Sequence, residues 1–336
     1  MFKLTHLPGI ALMLVLALLS STLSSLVVLG GKHPLEATAL AIILGLLLRN
    51  LLLVPDTCRS GIGRAEKFLI LGIVLMGASL DFHALTSQGL TLLLVIIITM
   101  AAAFNLILML GRGFKLAPNL RLLLAVGTTI CGTSAIAITA PLIKAKDEET
   151  SYAVATIALW GLVAIILYPE VAKLIQVTDF EFGVFAGTAI HATPQVVGAG
   201  YMFSDSAGQT ATAVKLVRNC FMAPLAVLIA LWHQRKQARV AEALQRKNLL
   251  RAFPWFLFGY FVMAALTTQG VFTKGLIDAF SAIAKFLILI AMAGIGLSSD
   301  LRAFRAVGVK PLVVGLLGAL VLAMVSAGTI RMFLSG

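Results

Sequence analysis

The sequence predicts an all-α polytopic membrane protein with about 9 to 11 membrane segments, two of them broken or re-entrant helices. Three observations predict it. Of the 336 residues 60% are hydrophobic and only 12% charged, at a mean hydropathy of +1.02, whereas a soluble domain carries about 25% charged residues. Apolar runs long enough to cross a hydrocarbon core of about 30 Å recur along the whole chain. Two pairs of segments also repeat internally, as in secondary transporters whose sites form where discontinuous helices of two inverted halves meet.

In chain order, the apolar runs occupy 8–29, 35–53, 67–81, 88–111, 120–143, 151–175, 181–203, 209–232, 252–270, 282–299 and 309–333. The first, preceded by Lys3, has no A-x-A-like cleavage site and reads as a retained span rather than a signal peptide. The chain 1–336 reads as a single transmembrane domain. Its formal charge of +12 sits in short loops between apolar runs, which fits a positive-inside orientation and excludes a contiguous nucleic-acid face. The richest loop is the basic linker 233–251, HQRKQARVAEALQRKNLLR, expected to be cytoplasmic and to form an amphipathic surface helix. Cys58, Cys131 and Cys220 are too few and scattered for a disulfide framework or a metal cage.

Segment 67–82, KFLILGIVLMGASLDF, recurs with one inserted residue at 285–301, KFLILIAMAGIGLSSDL, so that Asp81 meets Asp300. Segment 126–164, opening VGTTICGTSAIA, recurs at 186–224, opening AGTAIHATPQVV, with Gly127 on Gly187, Thr128 on Thr188 and Thr133 on Thr193. If 120–143 and 181–203 both crossed the membrane, the shared motif would run in one direction. If both are re-entrant, they enter from opposite faces. Re-entry is favoured, because it places Lys144 and Lys146 with the other basic loops and leaves Glu170, Asp179 and Glu181 on the opposite side. Irregular backbone at that depth needs cover from protein or a water-filled cavity.

Polar chemistry concentrates at the two interruptions and on the segment after them. Gly132 lets the chain open within ICGTSA, and a helix restarting near Thr133 presents unpaired amides to an anion, with Cys131, Thr133 and Ser134 alongside. The same small residues also serve close helix packing in lipid. In HATPQ, Pro194 breaks the second helix beside His191, Thr193 and Gln195. His191 suits hydrogen bonding to a substrate or carrying a proton, the other reading being a satisfied buried imidazole. Counted from Gln209 at about 1.5 Å per residue, Arg218 lies roughly 14 Å deep, with Lys215 one turn away. Glu36, Asp81 and Asp300 lie toward segment ends, so an anionic ligand is the economical partner for both cations, with Asn219 as a further donor. Lys215 can also snorkel, and either cation can bond carbonyls structurally. Neutralising Arg218 is then expected to abolish the response to anions while leaving expression intact.

At PGIALM, ALAIILGLLLRN, KFLILGIVLMGASLDF, ICGTSAIAITAPLIKA, VATIALWGLVAIILYP, FGVFAGTAIHATPQVVGAG and AVKLVRNCFMAPLAVL the chain resembles the bacterial YeiH family, labelled sulfate exporters of the inner membrane. The resemblance covers nearly the whole chain. That family is similar in turn to bile-acid/sodium symporters and cation/proton antiporters, which implies inverted five-helix repeats with a core and a panel domain. Carried onto this chain, it points to the ICGTSA and HATPQ breaks and to Lys215 and Arg218. Members of the family carry an acidic residue after the His, whereas Ala192 stands here, so a carboxylate at that position is not present for coupling.

The expectation is a secondary transporter in the cell inner membrane, moving a sulfate, sulfonate or carboxylate by alternating access. Its binding residues are expected to be Cys131, Gly132, Thr133, Ser134, His191, Thr193, Pro194, Gln195, Lys215, Arg218 and Asn219. No metal and no cofactor is called for. The coupling ion, proton or sodium, is left open, as is a homodimer; the lipid bilayer and the anion are the expected partners, and nucleic acid is not. An anion channel is the nearest alternative. A membrane-embedded enzyme lacks a paired acid and base, and a scaffold would have no use for buried cations.

Overall fold

The computed structural model describes residues 4–26, 36–52, 54–80, 89–234, 255–302 and 307–334. The basic linker 233–251 falls almost wholly outside them, as does Asp81. Among the described residues there are helices and no strand. In order they are α1 Leu7–Leu26, α2 Ala37–Leu51, α3 Asp56–Ile62, α4 Ala65–Met76 with a 3-10 turn Gly77–Ser79, α5 Gly89–Gly113, α6 Pro118–Thr129 and α7 Thr133–Leu142. There follow α8 Asp147–Leu174, α9 Asp179–Ala189, α10 Thr193–Phe203, α11 Asp205–Cys220, α12 Met222–Gln234, α13 Phe256–Thr268, α14 Lys274–Ser298 and α15 Val309–Phe333. By length and composition six stretches among the described residues can cross a membrane: α1, α5, α8, the stretch Asp205–Ile229 that runs through α11 into α12, α14 and α15. The apolar runs 120–143 and 181–203 are each divided, into α6 and α7 and into α9 and α10.

The helices group into two compact units, one of residues 1–85 and 256–302, the other of residues 86–255 and 303–336. In the first, α4 lies along α14, the two helices that carry the KFLIL copies. A methyl group built on Gly294 would fall 2.4 Å from Ala65 Cβ, and one on Gly72 would fall 3.0 Å from the Ala284 carbonyl. Contacts that climb one helix while descending the other make the pair antiparallel. Beside it α2 runs parallel to α14. Gly45 faces Gly296 backbone to backbone, and one turn on Arg49 Nη2 meets Asp300 Oδ2 at 3.1 Å while Asn50 Nδ2 donates to the Ser299 carbonyl at 2.9 Å. Small residues allow this approach, and close packing holds helices together in lipid, where hydrophobic exclusion is absent.

The second unit is built around two helical hairpins. α5 and α6 are joined by a tight turn that uses Lys115 at φ 57°, closed by Leu116 N donating to Gly111 O at 2.9 Å. α6 then runs parallel to α8: Asn119 Nδ2 reaches Glu149 Oε2 at 3.4 Å near their starts, and a methyl on Gly127 would meet Ile157 Cγ1 at 3.1 Å further in. Since α7 connects the end of α6 to the start of α8, it must return the chain to the side from which α6 entered. The second hairpin follows the same logic. α9 runs parallel to α11, with Gly183 against Thr210 and Gly187 against Val214. α10 runs antiparallel to α11, from Thr193 beside Asn219 to Gly200 against Gly208.

The long α8 carries the chain from one end of this unit to the other, so the two hairpins enter from opposite ends and meet tip to tip. Gly132 at one tip lies against Ala192 at the other, where an added Cβ would be 3.2 Å away. Both 120–143 and 181–203 therefore double back on themselves as helical hairpins. α15 closes the unit through buried hydroxyls and an indole: Thr329 to Thr99 of α5 at 3.1 Å, Ser326 to Thr188 of α9 at 2.7 Å, and Trp160 Nε1 of α8 to the Leu312 carbonyl at 2.9 Å.

Candidate functional site

The hairpin tips form because each sequence forces a break. In the first, Ile130 adopts φ −112°, ψ −86° and Gly132 adopts φ +67°. At φ +67° and ψ −127° Gly132 occupies positive-φ space that residues with a side chain essentially never enter. In the second, Ile190 and Ala192 are extended, and Pro194 sits in the first turn of α10, where its missing N–H costs nothing. Each break leaves a helix C-terminus and a helix N-terminus at the same tip, all without intrahelical partners.

Lys215 and Arg218 are wholly buried and hold the two C-termini. Lys215 Nζ donates to the carbonyls of Ile130 at 2.7 Å, Ile190 at 3.0 Å and His191. Arg218 Nε donates to Thr129 O at 2.6 Å and Nη2 to Thr128 O at 2.7 Å. Its Nη1 turns to the other hairpin, reaching Thr188 O at 2.7 Å, Ile190 O at 3.0 Å and Gly187 O at 3.1 Å. The carbonyl ends of α6 and α9 each carry about half a negative charge, which the two cations face directly. Among the described residues no carboxylate pairs with either. The partners are main-chain oxygens, so the hydrogen-bonding capacity of Lys215 is filled and that of Arg218 nearly so. A broken helix leaves orphan carbonyls, and this was the available signal for Thr128, Thr129, Ile130, Gly187, Thr188 and Ile190 as the groups that receive the cations.

The N-termini are the ends left open. α7 begins at Thr133 with Gly132 as its cap residue, and α10 begins at Thr193 with Ala192 as its cap; neither has a side-chain cap. Gln195 Oε1 instead accepts the Ala192 amide at 3.1 Å, and its Nε2 points to the Ala158 carbonyl of α8. Thr133 and Ser134 are exposed, while Thr193 and Pro194 are half-buried. Asn219 Nδ2 donates to Thr193 Oγ1 at 3.0 Å, and its buried Oδ1 has no hydrogen-bond partner. His191 is fully buried and neither ring nitrogen has a partner among the described residues. Cys131 Sγ donates to Met222 Sδ at 3.3 Å beneath the first tip. All eleven residues expected at the site therefore gather at the tips or on the adjoining turn of α11. Two cations, two helix C-termini of about −0.5 and two N-termini of about +0.5 sum to roughly +2 at this point. The accessible part of that charge lies at Thr133, Ser134 and Thr193.

A family model described as "Conserved hypothetical protein 698" matches residues 8–315. The chain belongs to this family. Its curated members are UPF0324 membrane proteins, the group that includes YeiH. The chain is 31% identical over 329 residues to the UPF0324 membrane protein of Clostridium tetani (strain Massachusetts / E88), covering 95% of this chain and 94% of the relative. It is 32% identical over 316 residues to the UPF0324 membrane protein OB3406 of Oceanobacillus iheyensis, covering 94% and 92%. A third relative, the UPF0324 membrane protein BH02290 of Bartonella henselae, is 33% identical over 322 residues, covering 95% and 90%. As a UPF0324 member with six membrane-capable stretches among its described residues, the protein is embedded in and contacts a lipid bilayer.

Proposed function

We propose that the protein is a secondary transporter of the cell inner membrane that moves a small anion of the sulfate, sulfonate or carboxylate class by alternating access. The observation that carries this reading is the pair of helix N-termini at the tips of opposed hairpins, that of α7 uncapped and that of α10 held only by Gln195 at the Ala192 amide, backed by two buried cations. Amides at a helix N-terminus bind anions through the dipole and through their free N–H groups together. Lys215 and Arg218 contribute as charge fixed behind the site, whereas Thr133, Ser134 and Thr193 supply the donors that touch the solute, with Asn219 Nδ2 holding the Thr193 hydroxyl oxygen.

Hairpins that enter from opposite ends, and an antiparallel pair of KFLIL helices in the other unit, support the inverted-repeat arrangement and the count of 9 to 11 segments. A two-fold axis in the membrane plane relates such halves, and the site sits where their broken helices meet. The basic loops support a cytoplasmic position for the linker 233–251.

Two measurements test the reading. Purified protein is expected to gain thermal stability from at least one of sulfate, sulfite, taurine, acetate or succinate, because a ligand that prefers the folded state raises its stability. Ser134→Asp places a tethered carboxylate at the exposed N-terminus of α7, where an acid is favourable, so the variant is expected to fold as well as the parent. It should nonetheless weaken the anion response by about tenfold or more, through direct competition and repulsion. In liposomes, uptake that saturates and accumulates the anion against its own gradient distinguishes a transporter from a channel. An undiminished anion response in Ser134→Asp would remove the α7 N-terminus from the site.

A further inference from the structure

Three main-chain oxygens from two separate chain interruptions converge on one atom, Lys215 Nζ: Ile130 O at 2.7 Å, Ile190 O at 3.0 Å and the oxygen of His191. An ammonium has three N–H groups and no acceptor. Each N–H here meets one carbonyl, in a position with no exposed surface and, among the described residues, no carboxylate. Converging backbone carbonyls are also how proteins hold desolvated metal cations, replacing the hydration shell with fixed oxygens. The need for a cation at this point is electrostatic. The carbonyl ends of α6 and α9 are brought together at the tips, and each carries about −0.5 of charge that repels the other.

We propose that Lys215 supplies from within the chain the cation that this carbonyl cage would otherwise take from solution, so that the two tips join without any alkali-metal ion. The four-carbon stem anchors the ammonium to α11, which makes its local concentration independent of the medium. Arg218, one turn further along α11, performs a related task on Thr128, Thr129, Gly187 and Thr188 and shares the Ile190 carbonyl with Lys215, but its planar fork spreads over two helix ends instead of filling one cage. Lys215 is therefore a positioning residue: it fixes the tips and, through them, the open N-termini of α7 and α10. This holds whether or not an anion is carried, and the test below reads folding alone, so its failure is separate from failure of the transport reading.

Thermal unfolding in detergent is followed for the natural protein and for Lys215→Ala, with sodium chloride exchanged for choline chloride at constant ionic strength. The natural protein is expected to unfold at the same temperature in both. Lys215→Ala removes the equivalent of propylammonium, and in choline its Tm is expected to fall by about 8 °C. Addition of about 50 mM n-propylammonium, small enough to enter the vacated cage, should restore at least half of that loss, with potassium or sodium restoring less. A variant too unstable to isolate in choline is prepared in propylammonium, which is then withdrawn. The proposal is overturned by a natural protein that sodium stabilises relative to choline. It is equally overturned by a Lys215→Ala protein that propylammonium affects no more than choline, or that fails to fold even with propylammonium present.

Discussion

Arg218→Ala is expected to lower the unfolding temperature by about 10 °C and to reduce the yield of folded protein in detergent. The substitution leaves the carbonyls of Thr128, Thr129, Gly187 and Thr188 without their donor and that of Ile190 with Lys215 alone, at the tips where the two hairpins meet. Breaking a buried charged network by deleting one partner costs about 3–5 kcal/mol, and about 2–4 °C of Tm accompanies each kcal/mol in a domain of this size. Arg218→Lys keeps the charge but not the geometry. A single ammonium cannot donate from Nε and Nη2 to one helix end and from Nη1 to the other, so this variant should recover less than half of the loss. Expression is thus expected to suffer, in contrast to the effect on anion response alone that the sequence suggests. A Tm within about 2 °C of the parent would show that the carbonyl ends of α6 and α9 are held together by something else.

Gly296→Leu is expected to destabilise the first unit by about 3 kcal/mol or more. An added Cβ would lie 2.3 Å from the Ile42 carbonyl and 3.0 Å from Gly45 Cα, both rigid backbone, so α2 and α14 must separate. Overpacking of this kind costs about 1–3 kcal/mol where neighbours can adjust, and helix backbones adjust least. The separation also loosens Arg49 from Asp300 and Asn50 from the Ser299 carbonyl one turn away. Gly275→Leu is the control, because nothing lies within 4 Å of that position. It should change stability by about 0.5 kcal/mol or less. The comparison is made by thermal unfolding of both variants in the same detergent; equal Tm values would mean that α2 and α14 do not approach as closely as the Gly45 and Gly296 contact requires.

Much of the site was legible in the sequence because its signals are local. A glycine inside ICGTSA and a proline inside HATPQ break helices wherever they occur, and charges within an apolar run demand partners at any depth. The identity of those partners was legible only as the orphan carbonyls that any broken helix leaves, with no residue singled out. Lys215 and Arg218 look like ligands for an external anion as long as only side chains are counted, since Glu36, Asp81 and Asp300 sit at segment ends. The orphan carbonyls that receive them belong to residues such as Ile130, Ile190 and Gly187, whose side chains say nothing about hydrogen bonding. The division into two units was equally hidden. Helix lengths and hydropathy do not reveal that α13 and α14 pack with α1 to α4 while α15 returns to α5, α8 and α9, because pairing in lipid depends on small-residue surfaces that many helices share. His191 is buried at the tip with both ring nitrogens unengaged among the described residues, which a sequence cannot show of an imidazole.

The hydroxyl and indole contacts of α15 have a bearing on how the chain is assembled as it is made. Residues 303–336 complete a unit begun at residue 86, and residues 256–302 complete one begun earlier still. Neither body can reach its final packing while the ribosome is still producing the preceding half, and the pairings Thr99 with Thr329 and Thr188 with Ser326 span 230 and 138 residues of chain. Such sequence-distant closures slow folding, since loop entropy must be overcome before any contact rewards it. Helices inserted early must therefore wait in the bilayer, with the cationic turn of α11 already in place, until the last segments arrive to lock them.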